Sequence, residues 1–197
     1  YATSFVRQAL QISDLDRPIS VCAIERPDWL GAVLEEPGVA VTDVAEALAP
    51  FVARVVAVDA SREMLAAARA RLRSHGSVEL RRGALERLPL EDATLDAAVL
   101  ALVLHHVPDP SRVCLEAARA LKPGGRLVVA DMLPHEHDDY RQTMGHVWMG
   151  FGVKQVERML LGSGFEAVRV VALDPEPGVK GPALFVATAT RGTELPE

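Results

Sequence analysis

Two cysteines are all this chain contains, and Cys22 and Cys114 stand too far apart to fall into any metal-binding or redox spacing. Each sits in an apolar context, which suits a small core residue better than a reagent. No apolar run reaches the roughly 18 residues that a membrane helix needs. The first residues lack a signal-peptide pattern, so the expectation is a cytoplasmic protein. A basic stripe is missing too: the positive residues are nearly all arginines scattered along the chain, and the net charge is −6 with a pI near 5.5. Duplex nucleic acid is therefore a poor partner for this chain alone. What is present is ordinary for a globular domain, with 197 residues, 49% hydrophobic and 24% charged, enough to bury a full core.

The most legible stretch runs from Ala53 to Leu72. Val55 to Val58 are apolar and mostly β-branched, a strand buried on both faces, and Asp59 stands where that strand ends. Ser61 then caps a helix with Met64, Leu65, Ala68 and Leu72 on its apolar face and Arg69, Arg71 and Arg73 in its last turns. An acid at the carboxyl end of a strand in a doubly wound sheet is placed to accept bonds from both hydroxyls of a ribose. Asp59 is thus a candidate for binding a nucleoside cofactor.

Around this unit short strands and helices alternate. Val39 to Val41 read as a first β run leading into a helix over Thr42 to Ala49, with further strands at Ser77–Arg81, Leu95–Ala101 and Arg126–Asp131. Ser111 starts a helix that Lys122-Pro123-Gly124-Gly125 stops. Alternation of this kind gives a mainly parallel sheet. After a helix over Val153–Leu161, the strands Phe165–Leu173 and Ala183–Ala189 have no helix between them and must pair as an antiparallel hairpin. The expectation is an α/β fold, a doubly wound and mainly parallel seven-stranded sheet with that hairpin at its end. Residues 1–34 read as a helical or lid-like segment, 35–190 as the cofactor-binding domain and 191–197 as a tail.

Several phrases resemble the class I methyltransferases that use S-adenosylmethionine: Val58-Asp59-Ala60-Ser61 with Met64-Leu65, Leu88-Pro89-Leu90, His105-His106-Val107-Pro108-Asp109-Pro110, and Leu121-Lys122-Pro123-Gly124-Gly125. The stretches Pro134–Arg141 and Gly145–Phe151 look like the methyltransferase domains that follow ArsR-type repressor domains in some bacterial proteins. The resemblance implies that Asp59 binds the ribose, that Ala60 and Met64 flank the adenine, and that the backbone of Gly83, Ala84 and Leu85 meets its edge. Ala101 and Leu102 would lie beside the methionine part. Many relatives carry a carboxylate at the position of Ala84. The family's glycine-rich turn after strand one is missing, since nothing between Val39 and Asp43 supplies it. Two alternatives follow: a degenerate fold with a binding, scaffold or regulatory role, or a chain lacking a loop between about Val39 and Asp43, which a break in its path there would mark.

For chemistry, His105 and His106 close the fourth strand, where a histidine can serve as base or orient an acceptor, and His106 is the one expected to face the cleft. His135, Tyr140, His146 and Trp148 are candidates to wall an acceptor pocket. The His135-Glu136-His137-Asp138-Asp139 run has metal-ligand residue types without a fixed third ligand, and reads as a solvated loop rather than a metal site. A nicotinamide dehydrogenase would need a glycine turn for pyrophosphate and has no use for the terminal hairpin. The acceptor is expected to be a small molecule. Arsenite is disfavoured because two distant cysteines make no thiolate cluster. A homodimer is left open.

Overall fold

The computed structural model describes residues 20–25, 41–173 and 181–195. One sheet of seven strands organises them. β1 (Ser20–Glu25) and β2 (Arg54–Asp59) are joined through α1 (Val41–Leu48), and α2 (Arg62–Arg71) leads to β3 (Val78–Arg82). β4 (Leu95–Ala101), α3 (Pro110–Ala120) and β5 (Leu121–Met132) follow. After the single turn α4 (Tyr140–Thr143) come α5 (Val153–Gly162) and the strands β6 (Phe165–Ala172) and β7 (Leu184–Arg191). The sheet order is β3-β2-β1-β4-β5-β7-β6, parallel from β3 to β5, with β7 antiparallel to both β5 and β6.

The strand sequences are apolar because both faces of the sheet are covered. On β2, Val56 and Val58 join the core that also takes Leu100, Leu127 and Val129, whereas Val55 and Ala57 join Val99 and Val128 on the other face. Ser61 caps α2 as its sequence implies, its hydroxyl accepting from Met64 N at 3.2 Å. Asp109 caps α3 in the same way through Arg112 N at 3.1 Å, so that helix begins at Pro110, one residue earlier than Ser111.

The first strand corrects the sequence reading. It is Ser20–Glu25, inside the segment expected to be a lid, and it pairs with both β2 and β4 at the centre of the sheet. Val41, read as the end of a strand, is the first residue of α1. The apolar run at Val39–Val41 was too short to separate strand from helix start by pattern alone. The connection from β1 to α1 is therefore residues 26–40, which lie outside the described residues. Lys122-Pro123-Gly124-Gly125 also differs from expectation. It forms a bulge inside β5, between the pairs Leu95–Leu121 and Ala97–Arg126, with Gly124 at φ +77°.

A second glycine is fixed by close approach. Gly150 has φ +80°, and a Cβ there would lie 2.2 Å from the Leu133 carbonyl oxygen. Gly150→Ala is expected to cost more than about 2 kcal/mol, read as a lowered urea midpoint with unchanged slope.

Candidate active site

The carboxyl ends of the parallel strands form one rim. In sheet order it carries Gly83 just past β3, Asp59 ending β2, Glu25 ending β1, Leu102 just past β4 and Asp131 near the end of β5. The winding reverses between β1 and β4, and wound sheets hold ligands in the crevice that such a reversal opens.

Asp59 is 8% exposed, with Oδ1 accepting from Ser61 N at 2.6 Å. That bond holds the carboxylate over the start of α2, where the helix dipole favours negative charge. Gly83 N donates to the Asp59 carbonyl at 3.1 Å and ties the next loop to the same rim. Ala60 and Ala84 are exposed and Met64 is half-buried, whereas the Leu85 side chain packs in the core. Ala101 is buried, and Leu102 turns the chain at φ +53°, its N–H donating to Ala130 O at 2.8 Å. A leucine in the left-handed region costs about 1–2 kcal/mol, strain of the kind found where strand ends meet a ligand.

Beside this rim three histidines converge. A turn of 3-10 helix over Leu104–His106 follows β4, and the loop before α5 is laced onto it, Val147 N and Trp148 N both donating to the His105 carbonyl at 2.9 and 3.0 Å. Lower on the loop, Phe151 N donates to Met132 O at 2.8 Å. The lacing brings the ring of His105 to 4.1 Å from His106 and 4.3 Å from His146, centroid to centroid. His105 has no exposed surface, and its Nδ1 meets Asp131 Oδ1 at 2.6 Å. His106 is half-buried, with Nδ1 3.2 Å from the Gly145 carbonyl oxygen. Tyr140 and His135 adjoin the group, their rings 5.2 and 6.0 Å from His146.

The expected site residues thus separate. His106, His135, Tyr140 and His146 do come together. His105, expected to share catalysis with His106, is an interior residue held by a carboxylate, because the loop before α5 covers it. Trp148 faces the other way, its ring against Phe151 and its Nε1 donating to Val107 O at 3.0 Å. It lines a separate groove of about 390 Å³ with Pro108, Gln155 and Met159, and Asp59 is not among that groove's walls. Cys114 is fully buried, and burial pushes its thiol up to about 12, so it stays protonated and offers no thiolate.

Burial, followed by the neighbouring His105, His106 and His135, lowers the His146 pKa to about 3. In the unfolded chain the same ring titrates near 6.5. Between those values the unfolded state binds the extra proton, so this contribution to stability is complete above about pH 6.5 and fades as pH falls toward 3. His146→Gln is expected to flatten the fall in unfolding free energy between pH 7 and 4, measured by urea denaturation at each pH.

Residues 36–129 match a family described as a methyltransferase domain. The match takes in just under half of the chain, from α1 to β5. The chain is also 35% identical over 149 residues to an uncharacterized 37.1 kDa protein in transposon TN4556 of Streptomyces fradiae, covering 70% of this chain and 43% of that protein. A ubiquinone biosynthesis O-methyltransferase of Xanthomonas oryzae is 33% identical over 125 residues, 59% of this chain and 52% of that one. The chain thus spans about half the length of these relatives. The crystal structure of an S-adenosylmethionine-dependent methyltransferase from Mesorhizobium loti superposes with a TM-score of 0.68 at 19% identity, covering 93% of this chain and 96% of that one, a likeness of fold. No helix among the described residues is long and apolar enough to cross a membrane.

One residue of the candidate site was passed over in the sequence. Asp131 stands next to the end of β5 much as Asp59 ends β2, an acid after a run of apolar residues, and that repetition was its signal. What it binds lies 26 positions earlier, at His105, and no pattern along the chain joins the two.

Proposed function

We propose that this chain transfers a methyl group from S-adenosylmethionine to a small-molecule acceptor. The observation that carries the reading is Asp59, an acid ending the second strand of a wound sheet, beside the reversal point and inside the methyltransferase-domain match. The residues fit such a cofactor. Asp59 presents a carboxylate at the rim for two vicinal hydroxyls, while Ala60 and Met64 offer an apolar edge beside it. The Gly83–Leu85 backbone follows at the neighbouring strand, with Ala84 exposed and contributing no charge. Leu102 puts its strained turn at the end of β4, where the methionine part would rest.

When bound, the cofactor supplies a methyl group activated on a sulfonium. The chain's task is then to align an acceptor and keep water out. His106 has its Nδ1 anchored on the Gly145 carbonyl, which puts the lone pair of the neutral ring on Nε2, the nitrogen that would orient an acceptor or take its proton. His135, Tyr140 and His146 form the wall beyond it, aromatic in shape and polar at a few points. By analogy, the similarity to a ubiquinone biosynthesis O-methyltransferase also supports a small acceptor.

Calorimetry with S-adenosylhomocysteine tests the reading. Saturable binding of one molecule per chain is expected. An absence of heat at high ligand concentration, with the fold intact by circular dichroism, would sink it in favour of a non-catalytic descendant of the fold.

A further inference from the structure

We propose that His105, His106 and His146 form a binding site for one divalent transition-metal ion of the zinc type. One ligand atom from each of the three residues can be chosen so that all lie within 4.8 Å of one another, the one such grouping among the described residues. Three imidazole nitrogens on a tetrahedral zinc ion, with bonds of about 2.0–2.1 Å, stand about 3.4 Å apart, so loading draws the rings inward by roughly 1 Å.

The second observation is how the rings are held. Histidines that bind metal usually donate their other ring N–H to a carboxylate or a backbone carbonyl, which fixes the tautomer and aims the lone pair. His105 Nδ1 is 2.6 Å from Asp131 Oδ1, and His106 Nδ1 is 3.2 Å from Gly145 O. Both partners accept only, so Nδ1 carries the hydrogen in each ring, and in the neutral ring the lone pair sits on Nε2. Asp131 is itself fixed, Oδ2 accepting from Leu104 N and Oδ1 from Met132 N. At His105 the support therefore runs two shells deep, and no step of the proposed methyl transfer needs that part of it.

Ligand chemistry narrows the ion. Three imidazoles suit zinc, cobalt, nickel or copper, and a set without carboxylate oxygen disfavours magnesium and calcium. Three protein ligands leave a fourth position for water or an anionic oxygen, as in zinc sites that remain open. His135 is not part of the set. Its Nδ1 accepts from His137 N at 3.3 Å, which leaves the hydrogen on Nε2, and its ring centre lies 6.0 Å from that of His146. Metal binding uses the lone pair of His106 that the proton-taking role would use, so the two roles exclude one another on a single molecule.

The test is equilibrium dialysis of the chelator-stripped chain against Zn²⁺, together with visible absorption on adding Co²⁺. One ion per chain and nitrogen-type ligand-field bands are expected. His106→Ala should weaken binding at least about 100-fold, and Asp131→Asn about 10- to 100-fold, because it removes orientation and no ligand. His135→Ala should leave affinity unchanged. His106 is half-buried, so its variant is the one relied on if His146→Gln does not fold, with circular dichroism as the check. Absent binding at millimolar zinc would overturn the proposal. So would affinity that survives His106→Ala, or that disappears with His135→Ala instead. S-adenosylhomocysteine binding, measured separately, reports on the methyltransferase reading and is independent of either outcome.

Discussion

An Asp59→Ala variant is expected to bind S-adenosylhomocysteine at least about 100-fold more weakly than the unaltered chain while keeping its fold. Two hydrogen bonds from ribose hydroxyls to a charged acceptor are worth about 1.5–3 kcal/mol each. Losing both is about 3 kcal/mol or more, and 1.4 kcal/mol is tenfold in affinity. The structural cost is smaller, because the carboxylate's bond from Ser61 N at 2.6 Å is local. Its loss should take about 1 kcal/mol from stability. Calorimetry separates the two, and Asp59→Asn, which keeps an acceptor for Ser61, should retain stability while still binding weakly. Equal affinity in Asp59→Ala and the unaltered chain would remove this residue from the site and the proposed function's main support with it.

Asp131→Ala should produce the largest loss of stability, about 3–5 kcal/mol. Its carboxylate is fully buried and accepts from three donors, Leu104 N at 2.9 Å, His105 Nδ1 at 2.6 Å and Met132 N at 2.8 Å. Alanine would strand all three away from water, and each buried donor left unmade costs about 1–3 kcal/mol. The partial compensation from relaxation keeps the total near the range seen when one partner of a buried charged pair is removed. Asp131→Asn keeps one acceptor oxygen and should fall between the two. Urea denaturation in the presence of a chelator, which removes any contribution from bound metal, gives the comparison. A loss under about 1 kcal/mol for the alanine variant would show that the turn at Leu104–His106 is held by something else.

Those two aspartates differ in how legible they were. Asp59 announces itself because everything that defines it is local: four apolar residues before it, a capping serine two positions later and an amphipathic helix after that. Asp131 ends a similar strand, but its role depends on residues 104 and 105, which β4 brings alongside through the sheet. The His146 segment is a harder case. Its docking rests on backbone donors of Val147 and Trp148 meeting the His105 carbonyl, and main-chain groups leave no trace in residue identity. Trp148 illustrates the converse, since an aromatic residue near a site invites a place in its wall, while here its indole turns to the Val107 carbonyl and the core.

Strand one shows how composition can mislead. Ser20–Glu25 carries serine, cysteine and glutamate in a segment broken by nearby prolines, and it still takes the centre of the sheet because β2 and β4 on either side supply the hydrogen-bonding partners. Intrinsic preference is a weak guide where neighbours complete a strand.

Taken alone, the order of residues determined the wound α/β arrangement, the closing antiparallel pair and the acid at the end of β2, because hydrophobic period, capping and turn chemistry act between near neighbours. Tertiary structure decided which strand occupies the middle, which histidine is buried and which half-open, and that His146 joins the other two. Those outcomes depend on main-chain hydrogen bonds between segments some 40 positions apart, and such bonds form only when the sheet and its covering loop have already come together.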